Sequence, residues 1–112
     1  MAMADKIADA TFSGSTGKYA FEVYPLGTDF KNVGAVYIIS RRSVDAQGKC
    51  THTFIYIGQT GDLSERFDNH HKAKCFKNNK ADCICVHFNS NEKSRLAVES
   101  DLIAGNSTPC ND

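Results

Sequence analysis

Residues 54–71, FIYIGQTGDLSERFDNHH, decide how the rest of the chain is read. The segment opens with strand-like alternation: Phe54, Tyr56 and Gly58 are expected on one face, Ile55 and Ile57 on the other. Gln59, Thr60 and Gly61 break that alternation. Asp62 then has the character of a helix N-cap, and Glu65 three residues on completes a capping-box-like pair. Leu63 and Phe67, four apart, would pack the helix against the sheet, while Arg66 and His70, also four apart, share a neighbouring face. A strand, a tight turn and a helix thus aim a phenol, a guanidinium and an imidazole from one short segment. Polar groups concentrated beside a core-forming strand mark a candidate site.

Upstream, residues 33–40 (VGAVYIIS) read as the preceding strand, with Val36 and Ile38 to one side and Ala35, Tyr37 and Ile39 to the other. Residues 41–51 are polar, contain Gly48, and read as a long hairpin loop. Antiparallel pairing across it would bring Tyr37 and Tyr56 to one face of the sheet. Residues 11–30 read as a separate β-hairpin: the Gly14–Gly17 turn precedes alternating Tyr19, Phe21 and Val23, and Pro25 and Gly27 end the second strand. Residues 1–10 are expected to be a flexible leader.

Downstream, the helix from Asp62 is expected to fade near Cys75, with residues 77–80 in a turn. Residues 82–88 (DCICVHF) form a third central strand, Cys83, Cys85 and His87 on one face and Ile84, Val86 and Phe88 on the other. Ser90 or Asn91 caps a second helix that runs to about Ala104, ended by Gly105 and Asn106. The expectation is an α+β fold in one domain, residues 11–112. A small central antiparallel sheet of three core strands, extended by the N-terminal hairpin, is flanked by helices.

The last helix carries an unusual carboxylate. At ~100° per residue, Leu96 and Ile103 flank Glu99 on one side and Leu102 on the other, so an acid sits within the apolar stripe. Buried alone it would cost several kcal/mol. It therefore needs a cation, a donor network or an open cleft: an internal salt bridge with Arg66 or Arg95 is the structural solution, a metal ion the functional one.

Composition narrows the classes. At 112 residues and 41% hydrophobic content the chain suits one modest core. The longest apolar run, GAVYII, is far short of a membrane span, and charges within MAMADKIADA interrupt any export signal. Five cysteines, an odd number with no CxxC pair, suggest a reducing compartment, by default the cytoplasm. Thirteen basic residues balance thirteen acidic ones, so the whole chain is not a polycation. The basic excess is local: nine basic against four acidic residues fall between positions 31 and 80, notably Arg41, Arg42, Lys72, Lys74, Lys77 and Lys80. Such a patch can track a phosphate backbone, or simply keep a surface hydrated.

Taken together, Val36-Tyr37, Tyr56-Ile57-Gly58, Arg66, His70, Glu99 and Asn111 resemble the GIY-YIG nuclease domain in order and spacing, over residues 33–111. The first motif departs mildly, reading Ala35-Val36-Tyr37 with its glycine one place early at Gly34. The resemblance implies a metal-dependent endonuclease that hydrolyses DNA phosphodiesters to 5′-phosphate and 3′-hydroxyl ends. It implies one Mg²⁺ or Mn²⁺ ion on Glu99, a phosphate held by Arg66, and a contact from His70 to a hydroxyl or phosphate. Tyr37 would serve as base, Tyr56 would assist, and Asn111 would hold the site by hydrogen bonds. Gly58, Gln59, Thr60, Arg41, Lys72 and Lys74 are expected to line the substrate path. Strandedness, sequence preference and oligomeric state are not legible.

Two alternatives have their own residues. Zinc could be held by two of Cys83, Cys85 and His87 together with Cys75 or His71, with Cys110 also in reach, although same-face strand neighbours are too far apart for all three to ligate one ion. A catalytically silent nucleic-acid-binding or protein-interaction module could also be built on the same fold.

Overall fold

A computed structural model describes residues 6–64 and 72–111. The elements follow in the order β1 (Ala8–Ser13), β2 (Lys18–Pro25), β3 (Ala35–Val44), β4 (Cys50–Thr60), α1 (Ala73–Asn78), β5 (Cys83–Phe88) and α2 (Glu92–Gly105). All strands join one antiparallel sheet in the spatial order β1-β2-β5-β3-β4. Strands β3, β4 and β5 form the expected core, and the N-terminal hairpin docks on it through β2 against β5. The hairpin starts at Ala8, so residues 8–10 belong to a strand and not to the leader.

Each sheet face has its own core. One gathers Tyr24, Tyr37, Ile39, Ile84 and Val86 under Phe30, Leu63, Phe76 and Cys110. The other packs Phe21, Val23, Val36, Ile38, Ile57, Cys83 and Cys85 against Val98 and Leu102 of α2. The near-continuous burial of residues 35–40 in β3 follows from this two-sided cover.

Several sequence expectations need correction. Residues 41–44 and 50–51 are not loop: Arg41 pairs with Thr53, Arg42 with His52, Ser43 with Thr51 and Val44 with Cys50. Polar residues persist there because this ribbon projects beyond the core, where ladder bonds are satisfied and side chains meet water. Only residues 45–49 turn. Asp45 accepts from the amides of Gln47 and Lys49 at 2.9 Å each, and Gly48 takes a left-handed φ of 81°.

The faces of β4 also differ from strict alternation. A bulge next to Ile39 pairs Ile39 with Tyr56 and Ser40 with Phe54, leaving Ile55 as the extra residue. Ile55 and Tyr56 therefore both pack with the first core, whereas Phe54 and Ile57 pack with the second.

Asp62 accepts from the Ser64 amide at 2.9 Å, as an N-cap does, but residues 65–71 lie outside the described residues. Helix α1 reaches Asn78, so Lys77 and Asn78 are helical and the chain turns at Lys80, φ 59°. Asn91 caps α2 by accepting from the Ser94 amide at 2.9 Å. The helix is rolled by about 60° from the expected stripe: Arg95, Val98 and Leu102 are its buried residues, and Leu96 and Ile103 are exposed. Glu99 thus sits at the rim of the packed face.

The free-thiol reading fails at two positions. Cys75 and Cys110 form a disulfide joining α1 to the C-terminal segment, which also removes both from any zinc site. Cys83 and Cys85 are buried free thiols under α2. Among the described residues no group of three His, Cys, Asp or Glu side chains is placed to hold a metal ion.

Candidate active site

Tyr37 lies opposite Gly58 in the β3–β4 ladder, and Tyr56 opposite Ile39, so both phenols rise from one face. Their ring centroids are 6.0 Å apart, and a hydrogen bond links them. Gly58 is their floor. A Cβ there would meet the Tyr37 hydroxyl oxygen at 2.7 Å and Tyr56 Cε2 at 2.8 Å. The glycine serves as missing volume, since its φ is not among the left-handed ones. Phe76 of α1 backs Tyr56 at a centroid distance of 5.4 Å. Burial raises the Tyr56 pKa, the hydrogen bond from Tyr37 pulls it down, and the Glu99 charge raises it again. Glu99 is therefore electrostatically coupled to Tyr56 although it belongs to the helix that covers the other core.

Glu99 is half-buried, and burial lifts its carboxyl above the usual range. It makes no ion pair with Arg95, whose guanidinium instead donates from Nε to Gln59 Oε1 and from Nη1 to the Asn89 carbonyl, both at 3.0 Å. Thr60 is occupied by Asp62, its Oγ1 meeting the Asp62 amide and carbonyl at 3.1 Å.

Asn111 acts on backbone. β4 is the outer strand, and the amide side chain of Asn111 fills its open ladder: the Ile57 N–H donates to Oδ1 and Nδ2 donates to the Ile57 carbonyl, each at 2.8 Å. The Cys110 amide adds a bond to the Ile55 carbonyl at 3.0 Å, and the Thr108 hydroxyl donates to Asn111 Oδ1. The segment beside Tyr56 is held from outside by this clamp and by the disulfide one residue before it.

Of the candidate residues, the structure thus brings Tyr37, Tyr56 and Gly58 together on β3 and β4, with Asn111 bonded to the β4 backbone; Glu99, on the helix that covers the other core, bears on the site through its charge on Tyr56 alone. Gln59 turns to α2. Arg41 is exposed on the projecting ribbon, four residues along β3 from Tyr37 and well apart from the phenols. Lys74 is exposed on α1 and Lys72 half-buried just before it. Arg66 and His70 lie outside the described residues. Sequence reading gave no structural role to Gly34, Thr108 or the Cys75–Cys110 bond, and treated Arg95 only as a partner for Glu99. The i, i+4 spacing of Arg95 and Glu99 was the available signal that both face one side of α2.

The site is thus an antiparallel sheet carrying paired tyrosines over a glycine, beside a helix that bears one half-buried acid. The sequence model of the GIY-YIG catalytic domain matches residues 33–111, most of the chain, and the protein belongs to this family. No curated protein and no solved structure matches it. The N-terminal hairpin lies outside the matched range. Among the described residues no helix is long and apolar enough to cross a membrane.

Proposed function

We propose that this chain is a metal-dependent endonuclease that hydrolyses DNA phosphodiesters, leaving 5′-phosphate and 3′-hydroxyl ends. The observation that carries this reading is the hydrogen-bonded Tyr37–Tyr56 pair over Gly58, coupled to a half-buried acid on α2. Glu99 has no hydrogen-bond or ion-pair partner among the described residues. That suits a hard cation such as Mg²⁺ or Mn²⁺, which binds few protein oxygens and keeps several waters. When bound there, such an ion supplies charge stabilisation to the phosphoryl group and the leaving oxygen.

The remaining work belongs to the side chains. Tyr56, its pKa raised by burial, stays protonated near neutral pH and serves as a donor that orients the attacking water. Tyr37, which donates to Tyr56 in the resting pair, takes the water proton only as phenolate, the form that Arg66 and the cation would favour. Arg66 steadies the nonbridging phosphate oxygens as their charge grows, and its planar permanent cation suits that role. His70 contacts phosphate or a hydroxyl, and Asn111 fixes the strand that carries Tyr56. A cytoplasmic setting, expected from the cysteine count, is not carried into the proposal, because a Cys75–Cys110 bond persists in oxidising surroundings.

The test is incubation with single-stranded DNA, duplex DNA and RNA, with Mg²⁺, Mn²⁺ or EDTA, beside Glu99→Ala and Arg66→Ala. Metal-dependent cleavage lost in both variants supports the enzyme. Binding without cleavage replaces it with a silent nucleic-acid module.

A further inference from the structure

Arg95 is only 5% exposed, a permanent cation folded into the protein. Its acceptors, Gln59 Oε1 and the Asn89 carbonyl, are both neutral, and among the described residues no carboxylate lies within ion-pair distance. Two of its nitrogens are engaged; Nη2 has no hydrogen bond among the described residues. A buried guanidinium without a counter-charge is costly, and proteins seldom retain one without a use for it.

One glycine makes room for it. A Cβ on Gly34 would fall 2.4 Å from Nη1 and 2.7 Å from the Asn89 carbonyl oxygen, whereas one on Gly61 would lie in ordinary contact, 3.5 Å from Nη2. The same residues line an open cleft of about 850 Å³, with Asn32 and Ser90 at its exposed edge and Arg95 in its wall. Glu22 also lines this cleft and keeps its negative charge, its carboxylate accepting from the neutral Tyr24 hydroxyl at 2.6 Å, so an anion is held at the Arg95, Asn32 and Ser90 end.

We propose that this cleft is an anion subsite, in which Arg95 Nη2 and the Asn32 and Ser90 edge hold a backbone phosphate next to the one that is cut. The proposal rests on the nuclease reading for its ligand. Arg95 and Glu99 are about one helical turn apart on α2, ~6 Å along the axis, so groups bound at the two follow each other along one strand. Gln59, which leaves the Tyr56 strand to bond Arg95, sets the two positions in register. A planar fork with one free edge suits a phosphate oxygen better than a point charge would. No base edge need be read, so the subsite adds affinity and direction without sequence preference.

The test separates binding from cutting by working in EDTA. A fluorescent oligonucleotide is titrated across a salt series with wild type, Arg95→Gln, Asn32→Glu and, as a charge-matched control on the distant turn, Gln47→Glu. Loss of one phosphate contact should weaken binding about tenfold at low salt and reduce the salt slope by about one for Arg95→Gln. Asn32→Glu should weaken binding similarly while Gln47→Glu does not. An oligonucleotide with uniformly neutral methylphosphonate linkages should bind wild type and Arg95→Gln equally weakly. Should Arg95→Gln fail to fold by circular dichroism, Asn32→Glu read against Gln47→Glu decides. Unchanged affinity in Asn32→Glu overturns the subsite. Arg95-dependent binding without metal-dependent cleavage would keep the subsite and remove the nuclease; no binding by wild type would remove both.

Discussion

Replacing Gly58 by alanine adds one methyl group at the point where both phenols converge. The new carbon would lie 2.7 Å from the Tyr37 hydroxyl oxygen, 2.8 Å from Tyr37 Cζ and 2.8 Å from Tyr56 Cε2, well inside van der Waals contact. Neither ring retreats freely. Tyr37 is in the first core, and Tyr56 is backed by Phe76. Overpacking of this kind typically costs about 1–3 kcal/mol. In a domain of this size each kcal/mol shifts Tm by roughly 4–8 °C, so the variant should melt roughly 5–20 °C lower while remaining folded in the cold. Cleavage should fall further than stability: the phenols must separate by several tenths of an ångström, and misplacement approaching 1 Å can cost on the order of 10²-fold. Thermal denaturation and cleavage assayed well below the new Tm measure the two effects separately. Wild-type Tm together with wild-type cleavage would refute the close approach on which the site is built.

Other outcomes follow from the same geometry. Glu99 has a raised folded-state pKa, so its stabilising contribution is complete below the unfolded value near 4.5 and is lost as pH rises through the folded value. Glu99→Gln should therefore raise Tm at pH 7, lose that gain in acid, and abolish cleavage; a Tm gain that does not depend on pH would contradict the burial account. Asp101 is the opposite case: its carboxyl is held below the usual 3.8 by hydrogen bonds from the Tyr19 hydroxyl, and from the Thr16 hydroxyl and amide and the Gly17 amide. Asp101→Asn should lower Tm at pH 7, and the deficit should shrink as pH falls through the depressed value; equal melting at neutral pH would show that the hairpin turn does not need this anchor. The Cys75–Cys110 bond closes a 35-residue separation. Chain-entropy reasoning makes its loss worth on the order of 4 kcal/mol, so Cys75→Ser should melt well below wild type, and a reductant should lower Tm only in the wild type.

Much of this architecture was legible because its signals are local. Alternation fixed β5 and the buried half of β3, Asn91 marked the start of α2, and the tyrosine, Tyr-Ile-Gly and acidic segments carried the family resemblance. The failures trace to interactions that local pattern does not encode. The projecting ribbon has polar residues because most of its side chains meet water, which resembles a loop in composition. The bulge at Ile55 changes face assignment without any change of residue type. The roll of α2 is set by the sheet it meets and by the space at Gly34, so Arg95 turned inward and Leu96 and Ile103 outward. Cysteine parity counted thiols but could not bring position 110 back to position 75.

The outer margin of β4 shows what the chain's last described residues do. An amide side chain there imitates the backbone of a neighbouring strand, and the covalent link at Cys110 keeps it seated. Lifting those residues would leave a bare row of donors and acceptors beside Tyr56, a template for any extended peptide, including another molecule of the same protein. Solubility and the alignment of the reactive strand are thereby entrusted to one small polar latch, so tags or fusions are better carried at the opposite end of the chain.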